Sequence, residues 1–220
     1  NGNITLNNNA GGITINDDTE IDLKGYTLTI PDTEASRASS EKAAMFTVEG
    51  DANLTIKNGK IVIESTNGVV SGTGTSTGAK NVVVFNSTGK LSLDNLVVEG
   101  SKRGGWRAVE VLSGSAVISN STFNCYYGSA VNSSNADVAL NDCDITVTGM
   151  YSAPYNSVCF SCMYGGELTV NGGNYKMINN NTFATGDTHG GWLGIVMNSG
   201  GTLILNDGNF ENVPAAGFNP

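Results

Sequence analysis

The sequence predicts an all-β chain wound into a solenoid, and three observations carry that reading. First, one short phrase recurs seven times: apolar–x–apolar, a small polar or turn-forming residue two positions on, and another apolar residue three after that. Its first apolar positions are Ile21, Leu54, Leu91, Ala116, Val138, Leu168 and Leu203, and its second are Leu23, Ile56, Leu93, Ile118, Leu140, Val170 and Leu205. The turn position holds Gly25, Asn58, Asn95, Asn120, Asp142, Gly172 and Asp207, and the later apolar position Leu28, Ile61, Val98, Phe123, Ile145, Tyr175 and Phe210. A fixed phrase at variable spacing marks stacked coils, each burying its face on the next. Second, charged residues make up only 14% of the chain and glycine reaches 29 of 220, which favours short strands and tight turns over helices. Third, apolar and polar residues alternate within each phrase, as in a strand. One small polar residue between two strands leaves no room for a hairpin, so the chain must bend and continue.

The elements follow in order. Residues 2–16 hold two alternating pieces, Ile4/Leu6 and Ile13/Ile15, which start the first coil. Each phrase then supplies two strands, with Asp22, Thr55, Ser92, Val117, Ala139, Thr169 and Ile204 facing outward between the paired apolars. A third strand precedes each phrase, at Met45–Val48, Val82–Phe85, Ala108–Leu112, Ala130–Asn132, Val158–Cys162 and Ile195–Met197. Each coil therefore has three strands and three turns, the plan of a parallel β-helix of about seven to eight coils, with like residues stacked at roughly 4.8 Å. Residues 35–44 form the only helix-like stretch, and the tail after Val213, with Pro214 and Pro220, reads as a chain exit. Residues 1–220 are read as one domain, a unit compatible with a longer surface protein.

The Asn/Gly/Asp column has a physical reason. A sharp turn repeated at one corner needs residues that tolerate the left-handed region, and stacked amides can hydrogen-bond to one another. With Asn58, Asn95 and Asn120 followed by Asp142, the chain resembles the right-handed parallel β-helices of the pectate-lyase-like superfamily, where an asparagine ladder at one turn is familiar. The stretch Ile21-Asp22-Leu23-Lys24-Gly25-Tyr26-Thr27-Leu28-Thr29 also looks like the segment that opens many bacterial surface β-helices. The resemblance covers nearly the whole chain. It implies a right-handed fold and an adhesin-like setting.

The net charge of −9 argues against nucleic acid or an anionic membrane surface as partner. No apolar run is long enough to span a bilayer, and no charged-then-apolar leader opens the sequence, so an extracellular location is argued only indirectly. Cys125 lies seven positions after Ile118, whereas Cys143 lies three after Leu140. Neighbouring coils offset these two by roughly 13 Å at ~3.3 Å per residue, too far for a disulfide. Cys159 and Cys162 have CxxC spacing, but no second such pair and a single histidine accompany them, so all four are expected as buried free thiols.

The insertions fall after the late strand and before the next coil, at 64–81, 100–107, 124–129, 148–157 and 179–194. The same position in every coil means one edge of the solenoid. The candidate ligand-binding residues gather there: Arg103, Trp106, Arg107, Tyr126, Tyr127, Tyr151, Tyr155, Asp187, His189 and Trp192. Aromatic faces beside polar groups suit a sugar, whose ring has an apolar face and a hydroxyl rim. The same rings would equally pin long loops onto the coil.

Catalytic motifs of the resembled superfamily do not carry over. Asp17-Asp18 lies at the N-terminal edge, His189-Gly190-Gly191 lacks a preceding glycine, and Lys102-Arg103 is no RIK segment. Asp142 and Asp144 stand at i and i+2, but Asp142 belongs to the turn column. No cofactor is expected. A structural Ca²⁺ at Asp17, Asp18, Glu20 and Asp22 stays open, since oxygen ligands are present but no calcium-binding repeat is. Sequons at Asn3, Asn53, Asn86, Asn120, Asn132 and Asn180 occur at chance frequency, and Asn120 is expected to be inaccessible within the ladder.

These features favour a non-catalytic extracellular surface module, adhesin-like, whose aromatic loop edge takes a glycan or a host or cell-surface protein. Two alternatives stand beside it: a polysaccharide lyase or hydrolase with an unrecognised site, and a phage tailspike or virion-fibre β-helix. Fold alone does not choose among them.

Overall fold

The repeated phrases stack in register, column upon column. The structure is a computed structural model, described here over residues 2–6, 12–32, 44–65, 81–100, 107–126, 128–149, 157–179 and 193–213. Its strands are β1 Ile4–Thr5, β2 Ile13–Ile15, β3 Thr19–Asp22, β4 Thr27–Asp32, β5 Ala44–Gly50, β6 Leu54–Ser65, β7 Asn81–Ser87, β8 Lys90–Glu99 and β9 Arg107–Val111. They continue with β10 Ser115–Ser119, β11 Thr122–Tyr126, β12 Ser129–Ser134, β13 Asp137–Gly149, β14 Ser157–Met163, β15 Glu167–Asn179, β16 Leu193–Ser199 and β17 Thr202–Val213. Among the described residues there is no helix.

Two sheets form. Sheet A has 10 strands in the order β1-β4-β6-β8-β10-β13-β15-β17, with β11 between β8 and β13 and β3 beside β6. Sheet B has 7 strands in the order β16-β14-β12-β9-β7-β5-β2. Adjacent strands pair in parallel and come from successive coils, which defines a parallel β-helix. Leu54, Leu91, Ala116, Val138, Leu168 and Leu203 are register partners in turn, as are Ile56, Leu93, Ile118, Leu140, Val170 and Leu205. All six predicted third strands are present, as sheet B.

Three sequence expectations need correction. The two halves of each phrase do not form separate sheets. β6, β8 and β13 run unbroken through a corner of one left-handed residue, and β15 and β17 do so through glycines, Gly172 and Gly173 in β15 and Gly208 in β17, so the bend does not end the strand. Asn58, Asn95, Asn120 and Asp142 all have φ between 50° and 58°, and only at Asn120 does the strand divide, into β10 and β11. The first copy is also displaced: Ile21 pairs with Ile56, not Leu54. A two-residue turn at Lys24-Gly25 replaces the single corner residue and lets Leu23 reach the place a side chain at Gly59 would take. Finally, the last corner is not at Asp207; it passes through an irregularity in the β15–β17 register, and Gly208 carries the positive φ. The helix-like stretch falls on residues outside those described, except Ala44, which opens β5.

The ladder faces solvent. Asn58 Nδ2 donates to Asp22 Oδ1 (3.2 Å), Asn95 Nδ2 to Asn58 Oδ1 (3.1 Å) and Asn120 Nδ2 to Asp94 Oδ1 (3.0 Å). A parallel run links Asn206 to Asn171, Asn171 to Asn141 and Asn141 to Ser119. Asn120 is exposed, contrary to expectation, because left-handed backbone turns its side chain outward; among the described residues the buried sequon asparagine is Asn132.

The core is one cluster along the whole solenoid. Phe160 and Tyr175 meet edge to face at 5.4 Å, and Tyr175 stacks on Phe210 at 5.3 Å. The last described coil carries the same columns at its open face, where Leu205 and Phe210 are 49% and 42% exposed.

All four cysteines are free and buried. Cys125 pairs in register with Val147, four positions beyond Cys143, the offset the sequence gives. Burial pushes the Cys125 and Cys159 thiols up to about 12 and Cys143 up to about 11, and it raises Cys162 as well. The folded protein is therefore expected to be inert to a thiol reagent at pH 8, and to react at all four cysteines once denatured. Rapid labelling of the native chain would contradict this core.

A buried polar strip on sheet B

All the long connections join the late end of sheet A to the first residue of a sheet B strand. The described strands place the ends of 33–43, 66–80, 101–106, 150–156 and 180–192 on this one edge. Of the ten sequence candidates, Arg103, Trp106, Tyr127, Tyr151, Tyr155, Asp187, His189 and Trp192 lie outside the described residues. Tyr126 ends strand β11, half-buried and level with Thr148. Arg107 is not a loop residue either. It opens β9, with its side chain 12% exposed.

Sheet B does not alternate strictly. The five strands β5, β7, β9, β12 and β14 each send two successive side chains into the core: Met45-Phe46, Val82-Val83, Ala108-Val109, Ala130-Val131 and Cys159-Phe160. The residues flanking each pair, three apart, are thereby turned to the outer face. They form two columns, Ala44/Asn81/Arg107/Ser129/Val158 and Thr47/Val84/Glu110/Asn132/Ser161. Outer-facing side chains are normally wet, yet Glu110 is 1% exposed and Asn132 and Ser161 are 0%.

The polar groups there bond to one another. Arg107 Nη1 pairs with Glu110 Oε1, Asn81 Nδ2 donates to Glu110 Oε2 (3.3 Å), and Arg107 Nη2 reaches Met163 Sδ at 3.7 Å. Ser161 Oγ donates its one proton to Asn132 Oδ1 (2.6 Å), so Ser129 Oγ must donate to Ser161 across 2.8 Å. This relay ends on the Asn132 amide, whose Nδ2 has no hydrogen-bond partner; Ser157 Oγ, fully buried at the start of β14, has none either. A buried unsatisfied donor costs about 1–3 kcal/mol, so each such atom is a local cost to the fold. The strip joins the Arg107–Glu110 ion pair to amide and hydroxyl groups, and Glu110, Asn132, Ser157 and Ser161 are closed to solvent. Glu110, Asn132, Ser157 and Ser161 were not among the sequence candidates.

Among the described residues no group of three or more His, Cys, Asp or Glu side chains is placed to hold a metal ion. Three of the N-terminal carboxylates, Asp18, Glu20 and Asp22, have partners. Asp18 Oδ1 accepts from Asn53 N and Nδ2, both at 2.9 Å, and the backbone bond chiefly holds its carboxyl below the usual value. Asp22 is lowered likewise by Lys24 N and then Asn58 Nδ2, and Glu20 pairs with Lys57 at 2.8 Å.

Fold and strip together define the class: a parallel β-helix with a buried polar strip on the outer face of one sheet. Comparison with known proteins finds no matching family model, no matching curated protein and no matching solved structure.

Proposed function

We propose that this chain is a non-catalytic extracellular surface module, adhesin-like, that binds glycan through the loop edge of the solenoid. The observation that carries the reading is that the described strands bring the ends of 33–43, 66–80, 101–106, 150–156 and 180–192 to one edge. The sequence places Trp106, Tyr127, Tyr151, Tyr155 and Trp192 in the connections that enter this edge, which adds apolar ring faces. The single-residue asparagine corner supports kinship with the pectate-lyase-like superfamily and its bacterial surface members.

The test is binding of the purified chain to immobilised gluco-, manno- and galacto-oligosaccharides, with N-acetylated and uronate-bearing members, beside a folded Trp106→Ala/Trp192→Ala variant. Binding that the variant loses is expected. Absence of any binding by the wild type would overturn the reading.

A further inference from the structure

The last corner of sheet A holds a reactive pair. Asp207-Gly208 is the single Asp-Gly sequence of the chain. It lies in β17, whose one neighbour in the sheet is β15, at the place where the register between the two breaks. Asp207 pairs with Asn171 and Asn209 with Asn174, and Gly208 between them has no register partner. Its amide is turned instead to the preceding side chain: Gly208 N donates to Asp207 Oδ1 at 2.8 Å. Asp207 is exposed. Glycine is required at 208, where φ is 143° and a Cβ would stand 3.1 Å from Phe210 Cζ. A glycine also leaves its own nitrogen unhindered.

The Asn-Gly pairs among the described residues are built differently. Asn58 Nδ2 donates to Asp22 Oδ1 (3.2 Å), its Oδ1 accepts from Asn95 Nδ2 (3.1 Å), and Gly59 pairs in register with Leu96. Asn171 Nδ2 donates to Asn141 Oδ1 (2.9 Å), and its Oδ1 accepts from Asn206 Nδ2 (2.7 Å). Both side chains are clamped from two sides and must break those bonds to swing onto the next amide. Asp207 stands outside the clamp, because Asn206 takes the ladder place in the last coil.

We propose that Asp207-Gly208 is a modification site at which aspartate converts spontaneously to isoaspartate. Gly208 N attacks Cγ of the protonated Asp207 carboxyl and an N–C bond forms. The Cγ–O bond breaks, and the hydroxyl leaves with the amide hydrogen as water, giving a five-membered succinimide. Water then adds at the Asp207 main-chain carbonyl and breaks its bond to Gly208 N, so that the chain runs on through Cγ; addition at Cγ restores aspartate. Water is the only co-reactant. The isoaspartyl link puts one extra carbon into the main chain ahead of Asn209 and Phe210. These two hold the last coil, Asn209 Nδ2 donating to Asn174 Oδ1 at 3.0 Å and Phe210 stacking on Tyr175. Conversion therefore undoes the register of the second half of β17.

The test is prolonged incubation of the intact chain near neutral pH, native and in denaturant, followed by peptide mapping that distinguishes isoaspartate from aspartate. In the native chain isoaspartate should accumulate at 207 at least about tenfold faster than at 58 or 171, since each clamped amide must first lose two hydrogen bonds. In denaturant the order should reverse, because an asparagine side chain loses ammonia to the same ring more readily than an aspartate loses water. Asp207→Glu, which cannot close a five-membered ring, should stop the conversion in the native chain, and Asp207→Asn should speed it. Absence of isoaspartate at 207 in the native chain, over the time in which the denatured chain converts at 58 and 171, would overturn the inference. Equal native rates at all three positions would overturn it too.

Discussion

Glu110→Ala is expected to cost about 3–5 kcal/mol, among the largest effects of any single change. The carboxylate is 1% exposed, pairs with Arg107 and accepts from Asn81. Removing it takes away the charge that compensates a guanidinium itself mostly out of water. The cost lies in breaking the pair, not in lacking one. Replacing both partners, as Arg107→Met/Glu110→Leu, should restore most of the lost stability, because two desolvated charges give way to apolar contacts of similar size. Denaturant titration of the two single variants and the double would measure this as a coupling energy. Additive losses would show that the two groups act independently.

Tyr175→Ala should cost about 3–5 kcal/mol by a different route. Tyr175 is fully buried between Phe160 and Phe210, and its hydroxyl donates to Gly172 O at 3.0 Å. Truncation opens a cavity where the penultimate coil couples to the last. Coils contact only their neighbours, so such a defect acts locally. The last coil, β16–β17, should then unfold ahead of the rest, and a single denaturation transition should broaden or split. One sharp transition with a shift below about 1 kcal/mol would show that the site collapses without loss.

Most of the coil was legible because burial imposes period two and stacking imposes the same columns on every copy. Leu54, Leu91, Ala116, Val138 and Leu168 announce themselves, since each must contact its equivalent above and below. The errors came where the backbone departs from the average copy. The Lys24-Gly25 turn makes the first copy two positions longer between Ile21 and Leu28 than later copies are at Ile56 and Ile61, which alternation alone does not register. The turn column signals left-handed corners, but the expectation that Asn120 is inaccessible within the ladder fails, since a positive φ puts its side chain outside.

The polar strip was hidden for a related reason. Strict alternation sends Ala108 and Glu110 to one face and Val109 to the other. In the structure both Ala108 and Val109 enter the core, and that displacement brings Arg107 and Glu110 together. A signal was present, because an apolar pair framed by polar residues recurs as Arg107-Ala-Val-Glu110 and Ser129-Ala-Val-Asn132.

The central claim is that recognition occurs at the loop edge, where the connections enter sheet B, and amide hydrogen exchange with and without a bound oligosaccharide tests it most directly. Added protection should concentrate at the first residues of β9, β12, β14 and β16 and in the connections that precede them. Protection confined to the outer face of sheet A, along the asparagine ladder, would contradict the account.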